Sequence, residues 1–486
     1  LKMTNKILII TIIGLILLLS GLTGWKYFHS KFQGEKEIIS STGTIKYLSL
    51  EGGFYGIETE KGEKYLPLNL PEEFKKDGLK VWFKAKLKKV AAIQMWGKPI
   101  EILEMSEIGE TLKEKPLLTK VKVAVLYERI GDGKQINRSV EDEIKIFKEM
   151  NTDFIFRAFW RWFPIPEKCE DLADEEKKEL CELKGYSYSH FEESISKIKS
   201  ELPNVIICGA VGAQFLRETE RNPITGEIFD KKETQSMRLN PSKWGINKSL
   251  PTKFRNYPDI TNPEFQKLLL SWAKKQIDCG ADAIWIDMLF KQAKILEELT
   301  GDVYHPAVKE SYDAASKIVD EIHKYGYQKG KYIYVGTWAY SALTFPYSPP
   351  KLDFVTASPS GVEIKKMELN DEKWNFIINI TKEKLGDIPI LAFIDWAGTT
   401  NTPMGVFSQR LSKERQRRFL KYADDYFQKK EIIFVYPVHG GFMGQDAEIL
   451  SFGKLKVYDS LAPEFQTYET IKNLARDKYG GEHEEK

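Results

Sequence analysis

Two aspartates draw attention because each closes an apolar run: Ala283-Ile284-Trp285-Ile286-Asp287 and Leu391-Ala392-Phe393-Ile394-Asp395. A carboxylate at such a tip is costly to desolvate unless a partner or a reaction requires it there. Paired carboxyl groups are what cleavage of a glycosidic bond needs, one to protonate the leaving oxygen and one to attack the anomeric carbon or activate water. Either aspartate alone can instead cap the next helix or pair with Arg157, a guanidinium inside an apolar run that must itself find an acid or a ligand. Other run ends carry Glu128, Trp160, Arg161, Gln214, Trp338, Ser358, Ser360, Glu363, Trp396 and His439. Asp287, Asp395 and Glu363 are the catalytic candidates, and Glu128 is a third choice for proton donor. Glu128, Arg157, Trp160, Trp338, Trp396 and His439 are the candidate substrate contacts, the indoles through their flat faces, although some tryptophans in such positions pack under loops instead. His439 precedes Gly440-Gly441 and reads equally as a turn residue. Arg157 and Arg161 together would suit an acidic sugar. No metal is required by this chemistry, no cofactor motif is present, and Gly131-Asp132-Gly133 is an ordinary turn.

The elements that must position these residues follow from periodicity. Past Lys120, eight short runs rich in β-branched and aromatic residues recur: Val121–Tyr127, Asp153–Phe159, Val205–Val211, Ala283–Met288, Tyr332–Thr337, Asp353–Ala357, Ile390–Asp395 and Ile432–Val438. Helical patterns separate most of them. Between the fifth and sixth runs, Ala339 to Leu352 is proline-rich and too short for a full helix. Near-continuous apolar strands imply a parallel sheet covered on both faces. Eight strand–helix units over residues 118–480 predict an α/β chain with a (β/α)8 TIM barrel, whose chemistry sits at the carboxyl ends of the strands. Strands four and seven then bring Asp287 and Asp395 nearly opposite each other. An open doubly wound sheet is the alternative, but no glycine-rich phosphate loop follows the first run.

Residues 40–108 alternate as five short strands with turns at Gly52-Gly53, Lys61-Gly62 and Asp77-Gly78, which predicts a small all-β, OB-like barrel. Its Phe54, Tyr55, Trp82 and Trp96 form a ligand platform or simply its core. Residues 1–30 carry an apolar stretch, Ile7 to Gly24, behind Lys2 and Lys6. This reads as an N-terminal transmembrane anchor with the bulk of the chain outside the cytoplasm, rather than a cleaved signal peptide, because no small-residue cleavage site follows. Asn137, Asn247 and Asn379 lie in sequons that suit export. Seventy-two Lys and Arg against 70 Asp and Glu leave a net charge of +2, no footprint for nucleic acid. Abundant lysine and glutamate fit heat resistance. Of four cysteines, Cys169 and Cys181 either close a small loop or stay free, Cys208 and Cys279 read as core residues, and no pair has zinc-site spacing.

The stretch Asp259-Ile260-Thr261-Asn262-Pro263, a helix ending at Gly280, and Ala281-Asp282-Ala283-Ile284-Trp285-Ile286-Asp287 resembles retaining α-glycosidase barrels, a glycoside-hydrolase-like family. The resemblance implies that Asp287 is the nucleophile. It covers Asp259 to Asp287, departs at Ala283 where glycine is usual, and supplies no acid on the fifth strand. The expectation is therefore a membrane-anchored glycosidase with a carbohydrate substrate. The alternative is a surface glycan-binding or envelope structural protein on an inactive barrel, and a transglycosidase is a third reading.

Overall fold

The structure, a computed structural model, describes residues 38–49, 53–59, 62–88, 96–107, 118–395 and 398–480. The anchor segment and Trp396 lie outside the described residues. Among those described, no helix is long and apolar enough to cross a membrane. The chain divides into two compact units, residues 1–111 and 112–486.

The first unit is a closed barrel of five strands, β1 (Ile38–Leu48), β2 (Phe54–Glu58), β3 (Lys64–Pro67), β4 (Lys80–Leu87) and β5 (Lys98–Glu107), in the order β1-β2-β3-β5-β4. Only β3 and β5 pair in parallel. Alternation aims Ile45, Ile57, Tyr65, Val81, Phe83, Ala85 and Ile100 inward as the core. Trp82 is buried too, whereas Phe54 and Trp96 meet edge-to-face and partly exposed.

The second unit holds eight parallel strands: β6 (Ala124–Tyr127), β7 (Phe154–Arg161), β8 (Ile206–Gly212), β11 (Ala283–Asp287), β12 (Tyr334–Trp338), β13 (Phe354–Ala357), β14 (Ile390–Ala392) and β15 (Ile433–Phe442). Pairing of β14 with β15 closes the ring. This is the barrel expected from the eight runs. A two-stranded ribbon, β9 (Glu220–Arg221) and β10 (Ile228–Phe229), sits in the excursion after β8, and β16 (Val457–Asp459) lies antiparallel beside β15. Neither is marked by an apolar run. The irregular link between β12 and β13 contains one short helix, Ala339–Leu343.

Two layers of apolar packing follow from the period-two alternation of the strands. Ala124, Leu126, Phe154, Phe156, Cys208, Ala210, Ala283, Trp285, Tyr334, Phe354, Leu391, Phe393 and Val435 fill the barrel. Their neighbours Val125, Tyr127, Ile155, Ile207, Ile284, Ile286, Val335, Val355 and Tyr436 face the surrounding helices. Gly336 leaves room for Phe354, since a Cβ there would lie 2.2 Å from the ring.

At the opposite, amino-terminal rim, three acids satisfy backbone N–H groups that the first residues of parallel strands leave open. Asp153 accepts from Lys122 and Val123, Asp282 from Ile207, and Asp353 from Val335, at 2.7 to 2.9 Å. Each acid stands directly before its own strand. The helix Pro263–Asp278 begins in a comparable way: Asn262 accepts from the Glu264 and Phe265 N–H groups, Pro263 occupies the first turn, and Asp259 accepts from Thr261 and Gln292.

Cys169 and Cys181 form a disulfide that closes the excursion between β7 and the helix Tyr188–Glu201, while Cys208 and Cys279 are free and buried. Replacing Cys169 and Cys181 together by serine is expected to lower the unfolding free energy by about 3 kcal/mol, the loop-closure value for so short a crosslink. Denaturant titration of both proteins checks it; an unchanged midpoint would mean that the helices hold the excursion without the crosslink.

Candidate active site

Asp287 lies two residues beyond Trp285 and so shares its inward face, at the carboxyl rim of the barrel. Both carboxylate oxygens receive donors: Gln214 Nε2 gives to Oδ2 and Trp338 Nε1 to Oδ1, each at 2.6 Å. Burial pushes the carboxyl up to about 6, against the opposing pull of the Trp338 N–H and the Arg157 charge. The donors come from the inward faces of adjacent strands, Trp338 at the tip of β12 and Gln214 two residues past Gly212 of β8. Gln214, which the sequence marks only as a run-end residue, continues the series Cys208, Ala210, Gly212.

Arg157 is the centre of the mouth. By strict alternation it would face the helices, but it adopts φ +57°, and β7 carries extra residues opposite β8 between Ile155 and Phe159. This bulge turns the guanidinium into the barrel, where the residue is 1% exposed. One side of it faces Glu128 at 3.5 Å and another faces Asp395 at 3.7 Å. Glu128 and Asp395 remain accessible, with side-chain exposures of 11% and 21%. Glu128 also accepts from the Gly441 N–H at 3.0 Å. The guanidinium thus joins acids from the first and seventh strands and is near enough to Asp287 to act on its charge.

A column of stacked groups supports that position. Arg157 lies 4.6 Å over Trp160, and Trp160 stacks on Trp162 and Trp162 on Phe215. Arg217 then packs 4.1 Å from both Phe215 and Phe163. Tyr186 ties the column to the backbone, its hydroxyl donating to the Trp160 carbonyl and accepting from the Trp162 N–H. Trp160 is 3% exposed and packed against Arg157 and Trp162, so the expected sugar platform is instead a support for Arg157. Trp338 stays partly exposed, with Phe393 at 5.2 Å and its indole N–H on Asp287.

Three expected site residues lie elsewhere. Glu363 sits in a capping box at the start of the helix Gly361–Lys366, and its carboxylate accepts from the Ser360 and Asn370 N–H groups, Lys373 and Trp374. Burial opposes its charge, yet these donors hold its carboxyl below the usual range, and they account for the acid as a helix-capping group. Arg161 is buried against Glu220 and over the Trp272 ring, on the helix side of β7, so it brings no second cation to the mouth. His439 would face inward with Val435 and Pro437, but a register shift between Pro437 and His439 rotates it outward onto Tyr127. Its Nδ1 meets Asp459 at 2.6 Å and its Nε2 meets Asp132 at 3.4 Å, while Arg138 bonds Asp459 through both terminal nitrogens. Burial disfavours the imidazolium, but the two aspartates outweigh it and push His439 up to about 10. The site therefore gathers Glu128, Arg157, Asp287, Trp338 and Asp395, with Trp160 behind them.

No family model matches the chain, and no curated protein matches it. Among solved structures, it is similar to the glycoside hydrolase domain of PelA from Pseudomonas aeruginosa at 11% identity, covering 65% of this chain and 94% of that one, with a TM-score of 0.35. It is also similar to an alpha-amylase from Geobacillus thermoleovorans complexed with acarbose, at 12% identity over 74% and 78% of the two chains, with a TM-score of 0.41. Eubacterium rectale Amy13B gives 11% identity, the same coverages and a TM-score of 0.40. Likenesses this distant assign nothing to the site; strand order and register define the barrel.

Two stability effects follow from these environments. The pKa of His439 rises on folding from 6.5 to about 10, so its stabilisation is complete below about pH 6.5 and is lost as pH climbs through 10. His439→Gln should cost about 3–5 kcal/mol at pH 7, as for breaking a buried ion pair, and should flatten the alkaline decline measured by denaturant titration from pH 7 to 10. Asp287 shows the same sign in a lower window: a carboxyl raised from 3.8 to about 6 also costs the fold stability as pH rises through that range, here because the charged form is the buried one. Asp287→Asn should stabilise at pH 7.5 by up to about 3 kcal/mol, and the gain should vanish near pH 4.

Proposed function

We propose that the barrel hydrolyses glycosidic bonds in a polysaccharide or glycoconjugate, with the chain held at a membrane by Ile7–Gly24 and its barrels outside the cytoplasm. The observation that carries this reading is Asp287 on the inner carboxyl rim, receiving Gln214 and Trp338 donors on its two oxygens while Asp395 stands across the mouth beside Arg157. Two N–H donors bind the ionised form of a carboxylate, which suits a nucleophile or a group that stabilises positive charge at the anomeric carbon. Asp395, the more exposed acid, gives its proton to the leaving oxygen and then takes one from water. Glu128, fixed by Gly441, orients a sugar hydroxyl, and the partly exposed ring of Trp338 packs against the sugar. The closed order β1-β2-β3-β5-β4 supports reading the small barrel as an OB-like module that serves as a spacer.

A second reading is favoured by two observations. The inward residues of β12 are Tyr334, Gly336 and Trp338, with no acid among them, and the guanidinium beside Asp395 works against a proton donor there. A barrel that binds glycan without cleaving it would have this arrangement.

Turnover on a panel of polysaccharides by the full chain in detergent separates the two. Hydrolysis is expected, with kcat/KM rising as pH climbs through about 6 because Asp287 must be ionised. Asp287→Asn and Asp395→Asn should each lower kcat/KM by about 10²–10⁴-fold. Glycan binding with no turnover, unaltered by either substitution, would establish the binding protein instead.

A further inference from the structure

The disulfide that closes the excursion after β7 lies against His190, whose far ring nitrogen faces Glu182, the neighbour of Cys181. His190 Nδ1 is 3.9 Å from Cys169 Sγ, and His190 Nε2 is 3.4 Å from a Glu182 carboxylate oxygen. Cys169, Glu182 and His190 stand close enough for their donor atoms to meet one ion, and Cys181 is the neighbour of Glu182 on the helix Glu175–Lys184. Ser187 Oγ lies 2.7 Å from His190 Nδ1, and Lys134 Nζ 3.4 Å from Glu182.

We propose that the reduced form of this loop is a zinc site, with Cys169, Cys181 and His190 Nδ1 as ligands, water in the fourth position, and Glu182 as the partner that orients the imidazole. The geometry agrees with the ion's demands. Bonds of about 2.3 Å to sulfur and about 2.1 Å to nitrogen at a near-tetrahedral angle place those atoms roughly 3.6 Å apart, close to the observed separation. A carboxylate 3.4 Å from the far ring nitrogen favours the tautomer with its lone pair at Nδ1, and a short closure would give the carboxylate–histidine pairing common around zinc. Ser187 gives up its contact with Nδ1 and keeps its bond to the His190 backbone N–H. His190 is partly exposed, so an ion has a way in. The loop is then closed by sulfur–sulfur bonding in oxidising surroundings and by the metal in reducing ones.

Chemically, a phosphine reductant attacks one sulfur and breaks the S–S bond. Water then supplies the phosphine oxide's oxygen and the two thiol protons. The disulfide gains two electrons and the phosphine loses two. Binding of the divalent ion releases both thiol protons, since thiolates are the ligands.

The test uses the full chain, oxidised or reduced with a phosphine and titrated anaerobically with cobalt(II) as a spectroscopic stand-in for zinc. The reduced chain is expected to bind one equivalent, with sulfur-to-cobalt charge transfer and tetrahedral d–d bands that zinc bleaches. The oxidised chain and the Cys169→Ser/Cys181→Ser protein should show neither, although both retain Cys208 and Cys279. Glu182→Gln should weaken binding by about 10–100-fold, and His190→Ala by at least as much. Bands that persist undiminished in His190→Ala, their absence from the reduced chain, or loss of its near-ultraviolet circular dichroism on reduction would each overturn the proposal. None of these readouts depends on glycosidase activity.

Discussion

A guanidinium cannot be withdrawn from water without counter-charge, and the burial of Arg157 organises the whole mouth of the large barrel. Its position requires a left-handed residue and extra length in β7, both of which cost free energy, and the return is one cation that two strands' acids share. Glu128 and Asp395 are drawn together from the first and seventh strands, nearly 270 residues apart in sequence. Trp160, itself stacked on Trp162, and Trp285 pack against the guanidinium. A lysine would keep the charge but lose the planar stacking on Trp160 and the two-sided reach.

How far such an arrangement can be read in advance depends on where alternation holds. Asp287 follows Ala283 and Trp285, Asp395 follows Leu391 and Phe393, Glu128 follows Ala124 and Leu126, and Trp338 follows Tyr334 and Gly336. Each therefore lands on the inner face by parity alone. Eight apolar runs likewise announced eight strands, because a buried parallel sheet leaves few polar positions to blur them. Parity fails at bulges, and these carry no clear mark in one sequence. The register shift in β15 sends His439 outward to Asp132 and Asp459, and the bulge in β7 brings Arg157 in while leaving Arg161 out with Glu220. Glu363 misled for a different reason. Ser360 and Glu363 are spaced as a capping box, which is a sufficient cause for an acid at that position.

The same caution applies to Asp259-Ile260-Thr261-Asn262-Pro263, from which the likeness to α-glycosidase barrels begins. In the structure these residues start a helix and brace it through Gln292, so they would serve a barrel of any function. The aspartate at the end of that stretch differs in kind. Asp287 makes no capping bond to the helix after it, and its burial pushes the carboxyl upward. A buried carboxylate needs compensation, and here it comes from donors on the two neighbouring strands, Gln214 and Trp338.

The two rims of the barrel explain why acids mean different things at each. At the amino-terminal rim the open backbone groups are N–H donors, so Asp153, Asp282 and Asp353 are satisfied by the chain itself and become structural. At the carboxyl rim the open backbone groups of the strands are carbonyls, which repel a carboxylate. An acid there must be met by a donor brought from elsewhere: Gln214 and Trp338 for Asp287, the Gly441 N–H beyond a bulge and Arg157 for Glu128, and Arg157 for Asp395. Carboxylate acceptors of this kind are the natural complement of hydroxyl groups on a ligand. Polarity of the backbone, imposed by eight parallel strands, thus separates the acids that brace the strand starts from those gathered at the mouth.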